Sequence, residues 1–213
     1  MGLVRRASTR LVDAREPAMK AVRRGPRTSR RQRRLRAAAF HEAGHAVAAY
    51  HLHVRLRRIS IGTDEGGTLG WLDLWLPHVT SGEAENIRLA RAVERDIIVL
   101  LAGAQAERIG VGRPSCPAGG VDFYEAMRRA GSICRTSEEM SACLRWLQLR
   151  THALVESPTW RQPIEILATR LLEHRQLGAR ETRAIIRAAM SGPRKNPDGD
   201  AERRTFSRRR RGA

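Results

Sequence analysis

Most of the chain shows apolar residues at helical spacing. Residues 37 to 50 contain no proline and several strong helix formers, which predicts a first helix. A second helix is predicted from Ser81, a residue type that caps helices, through about Arg108. Its alanine- and glycine-rich end, AGAQAER, would let another helix pack closely. The apolar residues that set its spacing are Ile87, Val93, Ile97, Leu100 and Leu101.

The second half of the chain is predicted to be helical after one loop. Residues 110 to 120 contain four glycines and two prolines, a composition that does not sustain a helix. Later helices are predicted to begin at Val121, at a capping box formed by Thr136 and Glu139, at Pro158 and at Glu181. Gly178 can terminate the helix that starts at Pro158.

Two short segments between the first and second helices have the composition of β-strands. Residues 58 to 61 and 68 to 74 are rich in β-prone residues, and the DEGG sequence between them favours a turn. This pattern predicts a hairpin. The expected fold class is therefore mainly α with a small β-hairpin or sheet that directly follows the first helix.

The charges divide the chain into three parts. Residues 1–36 carry 13 Lys and Arg against 2 Asp and Glu, residues 191–213 carry 8 against 3, and the centre is nearly neutral. We therefore predict an Arg-rich, disordered arm over 1–36, one folded domain over 37–190 and a basic, disordered tail over 191–213. The arms predict non-specific contact with nucleic acid, although residues 1–36 lack the aromatic residues that stack on single-stranded bases.

Cysteine usage and hydropathy point to a cytoplasmic protein. Cys116, Cys134 and Cys143 form no CxxC pair, and their odd number argues against a disulfide framework. No run reaches the about 18 apolar residues that a membrane span needs. The N-terminus also lacks the continuous apolar region of a signal peptide.

Residues 41 to 45 read HEAGH, an HExxH pentapeptide inside the predicted first helix. One helical turn takes about 3.6 residues, so His41 and His45 project from one face and can hold the same metal ion. This spacing is typical of zinc sites in metallopeptidases. Glu42 points to one side, where it can act as general base toward a metal-bound water. The sequence therefore predicts a catalytic Zn²⁺ site.

A catalytic zinc site needs a third protein ligand, and the residues alone leave its identity open. His51 lies six residues beyond His45, which reproduces the spacing of the metzincin motif, but Ala48 replaces the glycine that lets that helix turn back. Asp122 follows a flexible AGGV segment and begins a predicted helix, where it serves either as a ligand or as a helix cap. Three further carboxylates are predicted to be ordinary helix-surface charges: Glu83, Glu85 and Glu107.

Four segments together resemble the peptidase domain of the FtsH family of membrane-anchored AAA+ zinc proteases. They read HEAGHAVAAY, RRISIGTDEGGTLGWLDL, LLAGAQAERIGVG and AGGVDFYEAMRRA, and the resemblance covers about residues 36 to 190. It implies a zincin-like, FtsH-type peptidase domain with His41, His45 and Asp122 as zinc ligands and Glu42 as general base. The sequence departs from the family pattern at AGAQAER, which replaces a double-glycine, double-glutamate segment, and it contains no GxxxxGK[ST] loop.

The expected function is that of a zinc metalloendopeptidase that acts on polypeptides. Without an ATPase module of its own, such an enzyme would cleave unstructured chains or work with a separate ATPase partner, and it could form oligomers as the family does. Two alternatives stay open. The chain could be a basic protein that binds nucleic acid or anionic surfaces, or a pseudopeptidase kept as an interaction module, against which the retention of His41, Glu42 and His45 argues.

Overall fold

The computed structural model describes residues 30–62, 70–75, 87–112 and 120–191. These ranges contain six helices and a three-stranded antiparallel sheet, so the predicted fold class of a mainly helical chain with a small sheet is confirmed. In chain order the elements are α1 (Arg30–His51), β1 (Arg55–Ile61), β2 (Gly70–Trp75), α2 (Ile87–Val111), α3 (Val121–Ala130), α4 (Ser137–Glu156), α5 (Pro158–His174), β3 (Gln176–Gly178) and α6 (Ala179–Ser191).

Helix α1 packs against α2, α5 and the sheet, which places the HEAGH segment at the centre of the fold. Almost every residue from Ala39 to Ala49 is buried, in keeping with a helix surrounded by other elements. The helix begins at Arg30 and therefore extends seven residues into the segment that the charge pattern assigned to the N-terminal arm. The predicted helical character of residues 37 to 50 is confirmed.

The close crossing of α1 and α2 depends on small residues from both helices. A Cβ atom at Gly44 would lie 2.6 Å from the carbonyl oxygen of Ala102 and 2.6 Å from the Cβ of Ala106. Such distances are shorter than real contacts, so only glycine fits at this point of α1. The prediction that the AGAQAER end of α2 lets another helix approach is confirmed, and the helix that approaches is the one that carries HEAGH.

Strand β1 is the central strand of the sheet, in the order β2-β1-β3. Its Ile59 pairs with Leu72 on β2 and with Leu177 on β3, so apolar side chains from all three strands lie side by side. The predicted pairing of the two segments after α1 is confirmed, whereas the turn predicted at DEGG lies outside the described residues.

The third strand, β3, corrects the sequence-based prediction for the end of α5. That helix ends at His174, and Arg175 adopts a left-handed conformation with φ 64°. The carbonyl oxygen of Arg175 accepts a hydrogen bond from Ile61 N at 2.7 Å, which joins this turn to the sheet. The prediction that Gly178 terminates the helix was therefore wrong: Gly178 is the last residue of β3.

Capping and a buried ion pair position helices α3 and α4. Thr136 accepts a hydrogen bond from Glu139 N at 3.1 Å, which confirms the predicted N-terminus of α4. Arg129 on α3 donates to Asp96 on α2 at 2.7 Å, and both side chains are about 5% exposed or less. This pair fixes α3 against α2, and α3 is the helix that carries Asp122.

Several predicted features lie outside the described residues: the start of the second helix at Ser81, Glu83 and Glu85, most of the 110–120 loop, residues 1–29 and residues 192–213. Among the helices that the structure describes, none combines the length and the apolar character needed to cross a membrane.

Candidate metal centre

Helix α1 presents His41 and His45 to the same side, because one helical turn separates them. Their Nε2 atoms lie 2.9 Å apart. The two rings meet edge to face, with centroids 4.6 Å apart and planes inclined by 79°. His45 is buried, whereas the side chain of His41 is 23% exposed and forms part of a cleft wall. The open side of the pair therefore lies at His41.

Asp122 reaches the histidine pair from the first turn of α3. Its Oδ2 atom lies 2.9 Å from His41 Nε2 and 3.3 Å from His45 Nε2. The N-cap of α3 is Gly120, and no side-chain hydrogen bond caps this helix. Asp122 is therefore oriented toward the histidines rather than toward the helix terminus. His41, His45 and Asp122 form a triad whose donor atoms lie within 4.8 Å of one another, and this triad can hold a metal ion.

Two hydrogen bonds from α2 fix the tautomers of the histidines. His45 Nδ1 lies 2.7 Å from the carbonyl oxygen of Val99, and His41 Nδ1 lies 2.9 Å from Glu107 Oε1. A carbonyl and a carboxylate accept hydrogen bonds, so each Nδ1 carries the proton and donates it. In the neutral imidazoles each Nε2 then has a lone pair directed at the triad's centre. Such outer partners are a regular feature of metal-binding histidines.

The donor set fits a divalent cation that binds nitrogen and oxygen. Two imidazole lone pairs and one carboxylate oxygen converge, and none of the three atoms needs to carry a proton when the imidazoles are neutral. Their separations of 2.9 to 3.3 Å approach the about 3.3 Å expected between ligands of tetrahedral zinc with bonds of about 2.0–2.1 Å. A small outward movement of the side chains brings all three to that spacing, and among the described residues no further His, Cys, Asp or Glu joins the group.

The electrostatics of the triad favour a positive charge at its centre. Burial lowers the pKa of His41, but hydrogen bonds to Asp122 and Glu107 and the charge of Glu42 outweigh burial and raise this pKa to about 10. Burial raises the pKa of Asp122, but its hydrogen bonds to His41 and His45 reverse the effect and hold the pKa well below the usual range. Both shifts arise because the histidines and the carboxylates are paired with each other. The pairing favours a positive charge between them, which a proton or a metal ion can supply.

Glu42 is buried beside the triad and next to strand β2. It is 7% exposed. Burial raises its pKa, although the neighbouring His45 and His41 act in the opposite direction. In the described part of the chain no hydrogen bond or ion pair restrains its carboxylate. A Cβ atom at Gly70 would overlap this carboxylate, so the absence of a side chain at the start of β2 makes room for it.

One face of α2 supports the site, a role that the sequence pattern did not predict. Val99, Gly103 and Glu107 are spaced four residues apart and lie on one side of the helix. Val99 and Glu107 hold the two histidines, while a Cβ atom at Gly103 would overlap His45 and approach His41 Nε2 to 2.8 Å. The prediction that Glu107 is a surface charge was wrong, since it is 5% exposed. The available signal was the four-residue spacing of Gly103 and Glu107 at the end of a stretch, residues 97 to 106, that is apolar except for Gln105.

His51 does not join the triad. Helix α1 continues through Ala48 to His51, as expected for an alanine at the position where the metzincin motif has glycine. The His51 ring stacks on Trp160 with centroids 5.0 Å apart and planes inclined by 9°. Because it lies on the last turn of α1 and stacks on Trp160, His51 is excluded as the third ligand of the triad.

A cleft of about 210 Å³ opens beside the triad. His41, Glu107 and Asp122 form part of its wall, and helices α2, α3 and α4 supply the rest. The triad is thus accessible from this side.

Comparison of the chain with protein-family models and with curated proteins finds no match.

Proposed function

We propose that the protein is a zinc metalloendopeptidase with a zincin-like, FtsH-type peptidase domain. One observation carries the proposal: among the described residues, three ligand atoms converge beside a buried carboxylate that no hydrogen bond or ion pair restrains. His41, His45 and Asp122 are the proposed zinc ligands, and Glu42 is the proposed general base. A structural zinc site would use all four positions for protein ligands, whereas the described residues supply three and leave one position for water or substrate.

Zinc is the proposed metal because imidazole and carboxylate ligands in a three-plus-one arrangement suit it. When bound, the ion supplies Lewis acidity, which lowers the pKa of a coordinated water toward about 7 and polarises a carbonyl group. The protein's part is to keep the ligands oriented. Glu107 and the Val99 carbonyl hold the two imidazoles with their Nε2 lone pairs inward.

Glu42 moves the proton in the proposed mechanism. Its carboxylate accepts a proton from the attacking water and then donates it to the nitrogen of the leaving amine. Burial raises the pKa of Glu42, which makes its carboxylate a better acceptor for the water proton. Gly70 keeps the space around this carboxylate open.

Strand β2 is the proposed docking element for an extended polypeptide. Among the described strands it pairs with β1 on one side alone, and its first residue lies against Glu42. An extended chain that added to the outer edge would bring its backbone to the general base, with main-chain hydrogen bonds supplying affinity.

The proposal is tested on the full chain by measuring zinc content and hydrolysis together. We expect about one zinc ion per chain and cleavage of casein or of an unstructured peptide. Glu42→Gln should keep the zinc and lose activity about 10²–10⁴-fold, the usual contribution of a general base. Glu165→Gln, on the exposed surface of α5, is the matched control and should behave as the wild type.

Two results would contradict the proposal. A wild-type protein that takes up no divalent metal would remove the metal centre. Equal activity of wild type and Glu42→Gln would remove Glu42 from the mechanism.

The basic arms support a second, compatible candidate function, which is contact with nucleic acid. Residues 1–36 carry a net charge of +11 and residues 191–213 carry +5. Binding of this kind weakens steeply with salt because phosphate counterions are released. Retention of DNA at low salt should fall when residues 1–29 and 192–213, which lie outside α1 and α6, are deleted, and unchanged retention would exclude them as the binding element.

A further inference from the structure

The cleft beside the triad is mainly apolar, and two glutamine side chains interrupt its wall. Leu100, Leu101 and Ala104 come from α2, and Phe123 comes from α3. Gln105 on α2 and Gln148 on α4 complete the wall beside the triad residues. At about 210 Å³ the cleft holds the liquid volume of about seven water molecules. It is smaller than the about 300 Å³ at which pockets for drug-sized ligands begin, so it suits one side chain.

Both amides lack partners in the part of the chain that the structure describes. Neither Gln105 nor Gln148 takes part in a hydrogen bond or an ion pair there, although both are partly buried. An amide offers two N–H donors and one carbonyl acceptor. Both amides reach solvent, since among the described residues His51 Nε2 is the one buried side-chain polar atom without a hydrogen bond. A ligand that fills the cleft displaces the water on these amides, so a ligand that offers no hydrogen bonds leaves them unpaired at a cost. These two side chains therefore indicate which ligands the cleft takes.

We propose that this cleft binds the substrate side chain next to the scissile bond and selects a neutral side chain with a polar end, such as glutamine or asparagine. The inference rests on the proposed peptidase function. A substrate amide can donate to one glutamine and accept from the other, while its methylene stem contacts Leu100, Leu101 and Phe123.

Other side chains fit the cleft less well. An aliphatic side chain such as leucine fills the apolar part but leaves both amides unpaired. A carboxylate can accept from the amides, but it meets the negative charges of Glu107 and Asp122 on the same wall. An ammonium group is attracted by these carboxylates, but it has donors only and leaves the amide N–H groups without acceptors. The amides therefore disfavour leucine and the carboxylates disfavour glutamate, and lysine is the competitor that the peptide series must separate from glutamine.

The experiment uses the zinc-loaded full chain and peptides that differ at one position beside the cleavage site: Gln, Asn, Leu, Glu or Lys. For wild type we expect kcat/KM about tenfold higher for glutamine than for leucine or glutamate, a size set by the net gain of one or two partly exposed hydrogen bonds. Gln105→Leu and Gln148→Leu should remove this preference, so that the glutamine and leucine peptides are used equally. Gln162→Leu, on the exposed face of α5, is the matched control and should keep the preference.

A variant that conserves side-chain volume tests the inference in case the leucine variants fail to fold. Gln148→Glu retains the shape of the side chain and should shift the preference toward lysine, because its carboxylate accepts from an ammonium group.

A binding measurement separates this inference from the catalytic proposal. Amino-acid hydroxamates bind metal through one end, and the zinc-loaded protein should bind the glutamine hydroxamate about tenfold more tightly than the leucine hydroxamate, whether or not it hydrolyses peptides.

The outcomes are distinct. A protein that binds the glutamine hydroxamate preferentially but cleaves no peptide would support the cleft assignment and overturn the proposed peptidase function. A protein that cleaves peptides with equal or better use of leucine, or whose preference survives both leucine substitutions, would overturn the cleft assignment and leave the peptidase function standing.

Discussion

Glu107 Oε1 lies 2.9 Å from His41 Nδ1, although the two residues are 66 positions apart in the chain. Because the carboxylate accepts the Nδ1 proton, it turns the Nε2 lone pair of His41 toward His45 and Asp122. The same α2 face provides the Val99 carbonyl for His45. Helix α2 therefore orients the two histidines of α1 as the proposed metal site requires.

Removal of Glu107 is expected to weaken metal binding without removing a ligand. Outer partners of this kind are worth about 10–100-fold in metal affinity, so Glu107→Ala should raise the dissociation constant for zinc by that factor. Competition with a chromophoric chelator measures the change. The control is Glu165→Ala on the exposed face of α5, and equal effects of the two substitutions would contradict the assigned role of Glu107.

Substitutions of Asp122 and Thr136 distinguish the role of a metal ligand from the role of a helix cap. Asp122→Ala should lower zinc affinity at least about 100-fold because it removes one of three ligands. Thr136→Ala removes the side-chain cap of α4 and should cost about 1 kcal/mol of unfolding free energy with zinc affinity unchanged. Zinc titration and urea denaturation of both variants test this. Full zinc affinity in Asp122→Ala would exclude Asp122 from the site.

Gly103→Ala should damage the metal site directly. The added Cβ would overlap His45 and crowd His41, so the histidines must move apart or rotate. We expect loss of most zinc binding together with about 1–3 kcal/mol of destabilisation from overpacking. Gly131→Ala is the matched control, because a Cβ there meets its nearest atom at 3.5 Å and the backbone is right-handed helical. Wild-type zinc affinity in Gly103→Ala would show that the space at Gly103 is not needed.

Gly44→Ala tests the crossing of α1 and α2. Its Cβ would lie 2.6 Å from the Ala102 carbonyl oxygen, which belongs to the backbone and cannot rotate away. The helices must separate, at an expected cost of about 1–3 kcal/mol in unfolding free energy. Chemical denaturation of Gly44→Ala and of the control Gly131→Ala measures this loss of unfolding free energy. A stability equal to that of the control would mean that the two helices adjust freely.

The pair of Asp96 and Arg129 should contribute far more to stability than a surface pair does. Arg129→Met leaves the buried Asp96 carboxylate without its partner and should cost about 3–5 kcal/mol. Arg161→Met breaks pairs whose side chains are about half exposed and should cost about 1 kcal/mol or less. Urea denaturation compares the two, and similar losses would contradict the structural importance of the buried pair.

Local sequence patterns were sufficient for most helices. The starts of α3, α4 and α5 follow from the helical pattern at Val121, the capping box at Thr136 and Pro158, whereas α6 begins at Ala179, two residues before the predicted Glu181. Strand β3 could not be predicted, because three residues are too short to show a period. Its formation depends on β1 as a partner, and a partner elsewhere in the chain leaves no mark on local spacing.

The sequence by itself determined that His41 and His45 share one helix face with Glu42 beside it, since the period of a helix fixes the direction of each side chain. Only the tertiary structure decided that Asp122 completes the triad, that His51 stays apart and that Glu107 is buried at the histidines rather than exposed. The physical reason is that helix packing sets these distances: Gly44 and Gly103 let α1 and α2 approach, and the Asp96–Arg129 pair fixes α3 against α2. Spacing along the chain carries no information about such contacts.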